Sequence, residues 1–278
     1  MIYFLLSLLC SVLVSVFMRA SEKHIRNNLT MLACNYAACT ALAAVFTRTF
    51  NLFPRAEGMG VTLFLGLISG ILFLGAFVLL QWNIRQNGVS LPSTFMKLGV
   101  VVPTLMAITL FGETPTFVQV AGIVMVIIAI ILIQSGKNQD KAVNYGALIA
   151  LLLVGGAASA MTKVYDFYGV EALENHFLFY NFGVAFLLCV MLCLWKKQGL
   201  GLMDALFGFL IGVPNYLSSL FLLLSLETVP AVVAYPTSSV GSIVLVLICG
   251  RLFFKERLTR RQLWCIGLIL VSLVLLNL

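Results

Sequence analysis

Charged residues are scarce in this sequence, filling only 10% of its 278 positions, where a soluble domain carries roughly a quarter. That is too little polar surface to face water, so the solvent of most of the chain is lipid. Carboxylates are missing from the middle of every long apolar block. All ten (Glu22, Glu57, Glu113, Asp140, Asp166, Glu171, Glu174, Asp204, Glu227 and Glu256) fall in loops or at block ends. Histidine is nearly absent: His24 and His176 are the only two, and both are expected in loops. Without a metal-ligand cluster, a nucleophile elbow or a phosphate loop, enzymatic chemistry has no residues to run on, and no cofactor or metal is expected. Strict alternation of apolar and polar residues is also missing, which argues against a membrane barrel. The block Ile2 to Met18 lacks a basic region before it and a small-residue cleavage pattern after it, so it is expected to be a retained helix.

What is present is 62% hydrophobic sequence with a mean hydropathy of +1.09, gathered into long runs between short charged loops. A run of about 18 uncharged residues spans a bilayer. On that criterion the chain is an all-α integral membrane protein with about ten transmembrane helices. The spans are expected near 2–19, 29–47, 60–83, 88–111, 116–135, 144–165, 173–195, 202–225, 230–250 and 260–277, joined by loops whose longest lie near Asn51–Met59 and Asp166–Glu174. Pro92, Pro103, Pro214 and Pro236 lie within spans and predict kinks that face protein or a cavity, because lipid cannot satisfy the carbonyls a proline frees.

The two halves of the chain match. Ser15 and Arg19 pair with Ser159 and Lys163 at an offset of 144, and Asn35 pairs with Asn181 at 146. Gly66-x-x-x-Gly70 pairs with Gly208-x-x-x-Gly212, and Pro92 with Pro236. Glu113, Thr116 and Gln119 pair with Glu256, Thr259 and Gln262. Residues 1–135 and 144–278 thus read as two five-helix repeats. An odd number of spans per repeat inverts the second copy, an arrangement that places substrate near the midplane between repeats. The glycine pairs are read as close helix packing and not as ligand contacts.

The segment Phe111-Gly-Glu-Thr-Pro-Thr-Phe-Val-Gln119 and its echo Phe254-Lys-Glu-Arg-Leu-Thr-Arg-Arg-Gln262 resemble the G-E-x-x-T-x-x-Q ends of the drug/metabolite transporter superfamily, in its ten-helix EamA-like branch. The second copy departs from the pattern, with Lys255 in place of the usual Gly and no Gly after Gln262 until Gly267. The resemblance covers the whole chain. It implies alternating-access transport of a small molecule through a central cavity lined by spans 1, 3, 4, 6, 8 and 9, without naming the substrate.

Basic residues divide unevenly. The odd-numbered loops hold thirteen, among them Arg26, Lys141, Lys196 and Lys197, whereas the even-numbered loops hold Arg48, Arg55 and Lys163. The positive-inside rule then places the odd loops in the cytoplasm and both termini outside, in a multi-pass protein of the plasma (inner) membrane. Members of the resembled family are often described with cytosolic termini, so the charge count and the resemblance point opposite ways. The net charge of +7 is accounted for by topology and anionic headgroups, and nucleic-acid binding has no basic domain to support it. All seven cysteines lie in spans and read as small packing residues.

Lys97 is the one cation within a span, and an intramembrane cation is functional by default, with snorkelling to the interface as the alternative. Around it the family pattern turns inward Gln81 and Trp82 of span three, Ser93 and Thr94 of span four, Asn215 and Tyr216 of span eight, and Tyr235 and Ser238 of span nine. Such hydroxyls and amides serve equally as interhelical hydrogen-bonding groups. Asn35 and Asn181 are read that way, and Glu113 and Glu256 as caps of the following helix or partners of a basic residue. The expected function is a secondary transporter of a small anionic or zwitterionic metabolite. A lipid or lipid-carrier flippase of the same fold is the strongest rival, and a lateral opening to the bilayer would mark it. A channel would need a continuous polar pore ring, which is not evident. The expected partners are a small-molecule substrate and the bilayer, and a monomer is compatible with the sequence.

Overall fold

The computed structural model describes residues 2–21, 24–47, 51, 53–87, 90–134, 145–254 and 260–276. Among them all regular structure is helical. In chain order the α-helices are α1 (Ile2–Ser21), α2 (Asn28–Phe46), α3 (Met59–Asn87), α4 (Ser90–Leu98), α5 (Val101–Thr109), α6 (Phe117–Gln134), α7 (Tyr145–Tyr168), α8 (Glu174–Trp195), α9 (Leu202–Leu226), α10 (Ala231–Phe254) and α11 (Arg260–Leu276). Among the described residues, seven helices are long and apolar enough to cross a membrane, those starting at Ile2, Asn28, Met59, Tyr145, Glu171, Leu202 and Ala231. Shorter apolar helices cover 95–109, 117–132 and 266–276.

Two expectations need correction. Span four, expected as one helix over 88–111, is two helices, α4 and α5. The expected loop Asp166–Glu174 is mostly helical, because α7 continues to Tyr168 and Glu171–Leu173 form a 3-10 turn. Three residues near that corner explain the extension: Tyr165, Val170 and Phe177. The Tyr165 ring stacks on Phe177 with centroids 4.1 Å apart, and its hydroxyl donates to the Val170 carbonyl at 3.0 Å, closing the turn.

The chain packs as two compact units, each assembled from both sequence halves: Met1–Leu74 with Val164–Thr228, and Gly75–Lys163 with Val229–Leu278. The first unit shows what the paired glycines do. A Cβ on Gly66 would come within 2.6 Å of Tyr180 Cβ, and one on Gly70 within 2.6 Å of the Asn181 carbonyl, so α3 lies directly on α8. Gly208 and Gly212 press α9 onto α2 in the same way, since a Cβ on Gly212 would lie 2.6 Å from Ala38 Cβ and 2.7 Å from the Asn35 carbonyl. Each half therefore lays its glycine-bearing helix on a helix of the other half. Small residues at four-residue spacing permit such approach, and in lipid this packing replaces the hydrophobic effect between helices.

Polar groups tie the same unit together. Ser7 Oγ donates to the Ser218 carbonyl at 2.8 Å and Ser218 Oγ to the Ser7 carbonyl at 3.1 Å, joining α1 to α9. Asp204, fully buried, accepts from the Arg26 N–H (2.8 Å), Thr30 Oγ1 (2.9 Å) and the Gly201 N–H (3.2 Å), fixing the turn before α2 beside the start of α9.

Candidate functional site

The second unit holds the broken span. Pro103 has no N–H to offer the Gly99 carbonyl, and its ring would crowd that carbonyl in a continuous helix. The hydrogen bonding rearranges accordingly. Gly99 N–H is shared between the carbonyls of Phe95 (3.1 Å) and Met96 (3.2 Å), Val100 N–H reaches Lys97 (3.3 Å), and Val102 N–H takes the Gly99 carbonyl at 3.0 Å. Of the four prolines expected to kink a span, Pro103 makes the break. Pro92 falls in the first turn of α4, where its missing N–H removes no helical bond, and Pro214 and Pro236 sit within helices assigned without interruption.

The break is held by α7. A Cβ on Gly156 would lie 2.5 Å from the Gly99 carbonyl and 2.5 Å from Val102 Cγ2, and one on Gly99 would lie 3.1 Å from the Gly156 N–H nitrogen. Two glycine backbones thus meet where the span is interrupted. One turn along α7, Ser159 is exposed, its hydroxyl donating to the Gly155 carbonyl at 3.1 Å.

Lys97 occupies the last turn of α4, immediately before the break, and its side chain is exposed. The C-terminal end of a helix carries partial negative charge from its unpaired carbonyls, which favours a cation there. On α3, Trp82 is 44% exposed and Gln81 half-buried. On α10, Tyr235 is buried and Ser238 half-buried, and between them the Thr237 hydroxyl is buried with no hydrogen-bond partner among the described residues. Ser93 and Thr94 lie on α4, but their side chains fall outside the described residues. All of these positions belong to the second unit.

Asn215 and Tyr216 belong to the first unit. Asn215 Nδ2 donates to Asn35 Oδ1 at 3.2 Å, and Tyr216 is fully buried with its hydroxyl on Asn175 Oδ1 at 3.2 Å. Both side chains are engaged in helix-to-helix contacts. Asn35 acts as the packing group it was expected to be, whereas the Oδ1 of buried Asn181 has no partner among the described residues.

The G-E-x-x-T-x-x-Q motif acquires a physical meaning here. Gly112 has a positive φ of 68°, the conformation that turns the chain out of α5 and that side-chain-bearing residues avoid. Thr116 and Gln119 form a reciprocal capping box on α6, with Thr116 N–H on Gln119 Oε1 (3.0 Å) and Gln119 N–H on Thr116 Oγ1 (3.2 Å). Glu113, expected to cap the following helix or to pair with a basic residue, does pair with one, and the helix it caps is a distant one. Its two carboxylate oxygens accept from the N–H groups of Ala231 (3.0 Å) and Val232 (2.8 Å), the first residues of α10. Pro230 before that helix has no side-chain acceptor, so the orphan donors take a carboxylate from elsewhere. Glu113 also pairs with Lys163 at the end of α7, 3.3 Å away, and the Lys163 ammonium lies 6.0 Å from the Phe111 ring centre. The second motif copy, Glu256 and Thr259, lies outside the described residues.

The sequence profile of the EamA-like transporter family matches residues 1–135 and 143–278, one copy per half of the chain. The chain belongs to the EamA-like transporter family. An uncharacterized protein of Haemophilus influenzae is 23% identical, over 91% of this chain and 90% of its own length. A solved crystal structure superposes with a TM-score of 0.74 over 99% of this chain and 96% of its own, at 12% identity, which speaks for the fold alone. This EamA-like transporter is thus a multi-pass, all-helical membrane protein of two-repeat architecture. The residues that sequence reasoning left out are Gly156, whose only signal is a Gly-Gly pair in an apolar run, and the Glu113–α10 junction, whose signal is a proline standing where a cap belongs.

Proposed function

We propose that this EamA-like transporter moves a small anionic or zwitterionic metabolite by alternating access, with Lys97 as the principal attraction for the substrate's negative group. The reading rests on one observation: Lys97 is exposed, and it sits at the end of a half-helix whose break is packed against Gly156. Interrupted helices are where transporters of this architecture build their midplane sites, because freed backbone groups and a helix end face the same opening. An ammonium at that depth requires water or a counter-anion. A substrate carboxylate or phosphate would take that place. Gln81, Trp82, Ser93, Thr94, Thr237 and Ser238 of the same unit supply amide, indole and hydroxyl groups, and Tyr235 an aromatic wall. Asn215 and Tyr216 are assigned to holding α9 in place.

The wider reading completes this picture. Residues 1–135 and 144–278 are inverted repeats, the basic loops face the cytoplasm of a plasma-membrane protein, and transport proceeds as facilitated diffusion or exchange. The test is a thermal-shift screen of purified protein with metabolites, comparing wild type, Lys97→Ala and Lys97→Arg. Anions should stabilise the wild type, lose their effect in Lys97→Ala and regain part of it in Lys97→Arg. Stabilisation by organic cations that is unchanged in Lys97→Ala would overturn the proposal.

A further inference from the structure

The first unit contains a cavity that the transport reading does not use. It has a volume of about 220 Å³ and lies between Thr30, Ala33, Cys34 and Ala37 of α2 and Phe186, Val190 and Cys193 of α8, with Gln198 and Leu200 beyond α8 also in its lining. Its lining is almost wholly apolar, so an occupant inserts hydrocarbon there. At Gln198 the lining is different: its Oε1 is buried and has no hydrogen-bond partner among the described residues.

The backbone at that end carries two lysines immediately before Gln198. Helix α8 finishes in a Schellman arrangement, with Gln198 N–H on the Cys193 carbonyl (3.0 Å) and Lys197 N–H on the Leu194 carbonyl (3.0 Å). This folds Gln198 back over Cys193, so both line the cavity. The residue in the left-handed position is Lys197, at φ 49°, where glycine is the unstrained choice. Lys196 and Lys197 are both exposed. Arg26 is exposed too, and its Cδ would lie 3.4 Å from a Cβ on Gly201, next to the lining residue Leu200. Three exposed cations therefore stand next to residues at the cavity's end: Lys196 and Lys197 precede Gln198, and Arg26 lies beside Gly201, where the Asp204 carboxylate is already held by three donors.

We infer that this cavity binds one anionic phospholipid, its acyl chain between α2 and α8 and its phosphate among Arg26, Lys196 and Lys197. Charge complementarity selects an anionic head, and the Gln198 acceptor favours one that carries hydroxyl donors, as phosphatidylglycerol does. Basic pockets between membrane helices recognise headgroups in this way. The loops that supply the cations are those the positive-inside rule assigns to the cytoplasm, so the lipid would come from the inner leaflet.

The experiment uses the full-length protein in zwitterionic detergent, titrated with phosphatidylglycerol or phosphatidylcholine. Native mass spectrometry counts retained lipids, thermal unfolding reads stability, and a small maleimide reports the rate at which Cys34 and Cys193 are alkylated. Wild type should retain one phosphatidylglycerol in preference to phosphatidylcholine, with a higher melting temperature and slower alkylation. Each basic group near a membrane surface contributes about a fivefold change in affinity. Lys196→Gln combined with Lys197→Gly should therefore weaken phosphatidylglycerol retention by more than about tenfold. The same variant should melt no lower than wild type without lipid, because glycine relieves the left-handed strain. Ala37→Trp fills the cavity and should abolish retention with all three cations present. Equal retention of phosphatidylcholine, or unchanged phosphatidylglycerol retention in either variant, would overturn the inference. So would equal protection by glycerol phosphate, which carries the head without the tail and would mark a free-phosphate site.

Discussion

Removing the Glu113 carboxylate should loosen the start of α10 more than any neighbouring substitution. Three groups depend on it: the N–H donors of Ala231 and Val232, at 3.0 and 2.8 Å, and the Lys163 ammonium at 3.3 Å. The side chains of Lys163 and Glu113 are only 12% and 16% exposed, so water replaces the lost partner poorly. Hydrogen bonds to a charged group are worth about 1.5–3 kcal/mol each, and breaking a fully buried ion pair from one side costs about 3–5 kcal/mol. With partial exposure discounting both, Glu113→Ala should cost about 2–4 kcal/mol, and Glu113→Gln, which keeps one acceptor oxygen, about half as much. Lys163→Met should cost less than Glu113→Ala, because the carboxylate retains two donors when the lysine goes. Thr116→Ala, which removes only the α6 capping box, should cost about 1 kcal/mol. Thermal or denaturant unfolding in mild detergent ranks the four variants, and amide exchange at Ala231 and Val232 locates the effect. Faster exchange there is expected in Glu113→Gln and not in Thr116→Ala. A Glu113→Ala variant as stable as wild type, with those amides equally protected, would refute the assignment of Glu113 as the cap of α10.

Gly156→Val should destabilise the protein by about 1–3 kcal/mol, since its Cβ would strike the Gly99 carbonyl and Val102, while Gly75→Ala should be near neutral because the nearest atom to its Cβ is 3.7 Å away; unfolding midpoints compare the two. Single cysteines replacing Arg26, Lys141 or Lys197 in a cysteine-free background should resist an impermeant thiol reagent in intact cells, and strong external labelling would reverse the proposed orientation. A pH gradient alone should not drive uphill export in proteoliposomes, because all ten carboxylates and both histidines lie in loops or at span ends; accumulation under that gradient would refute facilitated diffusion or exchange.

Much of this protein is written in its local sequence. Length and apolarity of the blocks mark the helices, because in lipid a backbone must satisfy its own hydrogen bonds and so must be helical wherever it spans. The pairing of Gly66 and Gly70 with Gly208 and Gly212 marked helices that touch, and Pro103 was one of four prolines expected to kink a span. Which helices touch was not legible. That α3 lies on α8 and α9 on α2, each half borrowing a helix from the other, is decided by packing between residues more than 100 positions apart. The same holds for Glu113: the motif announced a carboxylate near a helix end, and only the fold placed it on the first amides of α10, 118 and 119 residues away. Tyr216 was a candidate through the family resemblance, and its burial, with the hydroxyl on Asn175, places it among the helix-to-helix contacts. Periodicity and propensity act over a few residues, so they specify elements. Partners, helix breaks pressed against a neighbour and long-range caps depend on which surfaces meet, and that is settled only when the chain is folded.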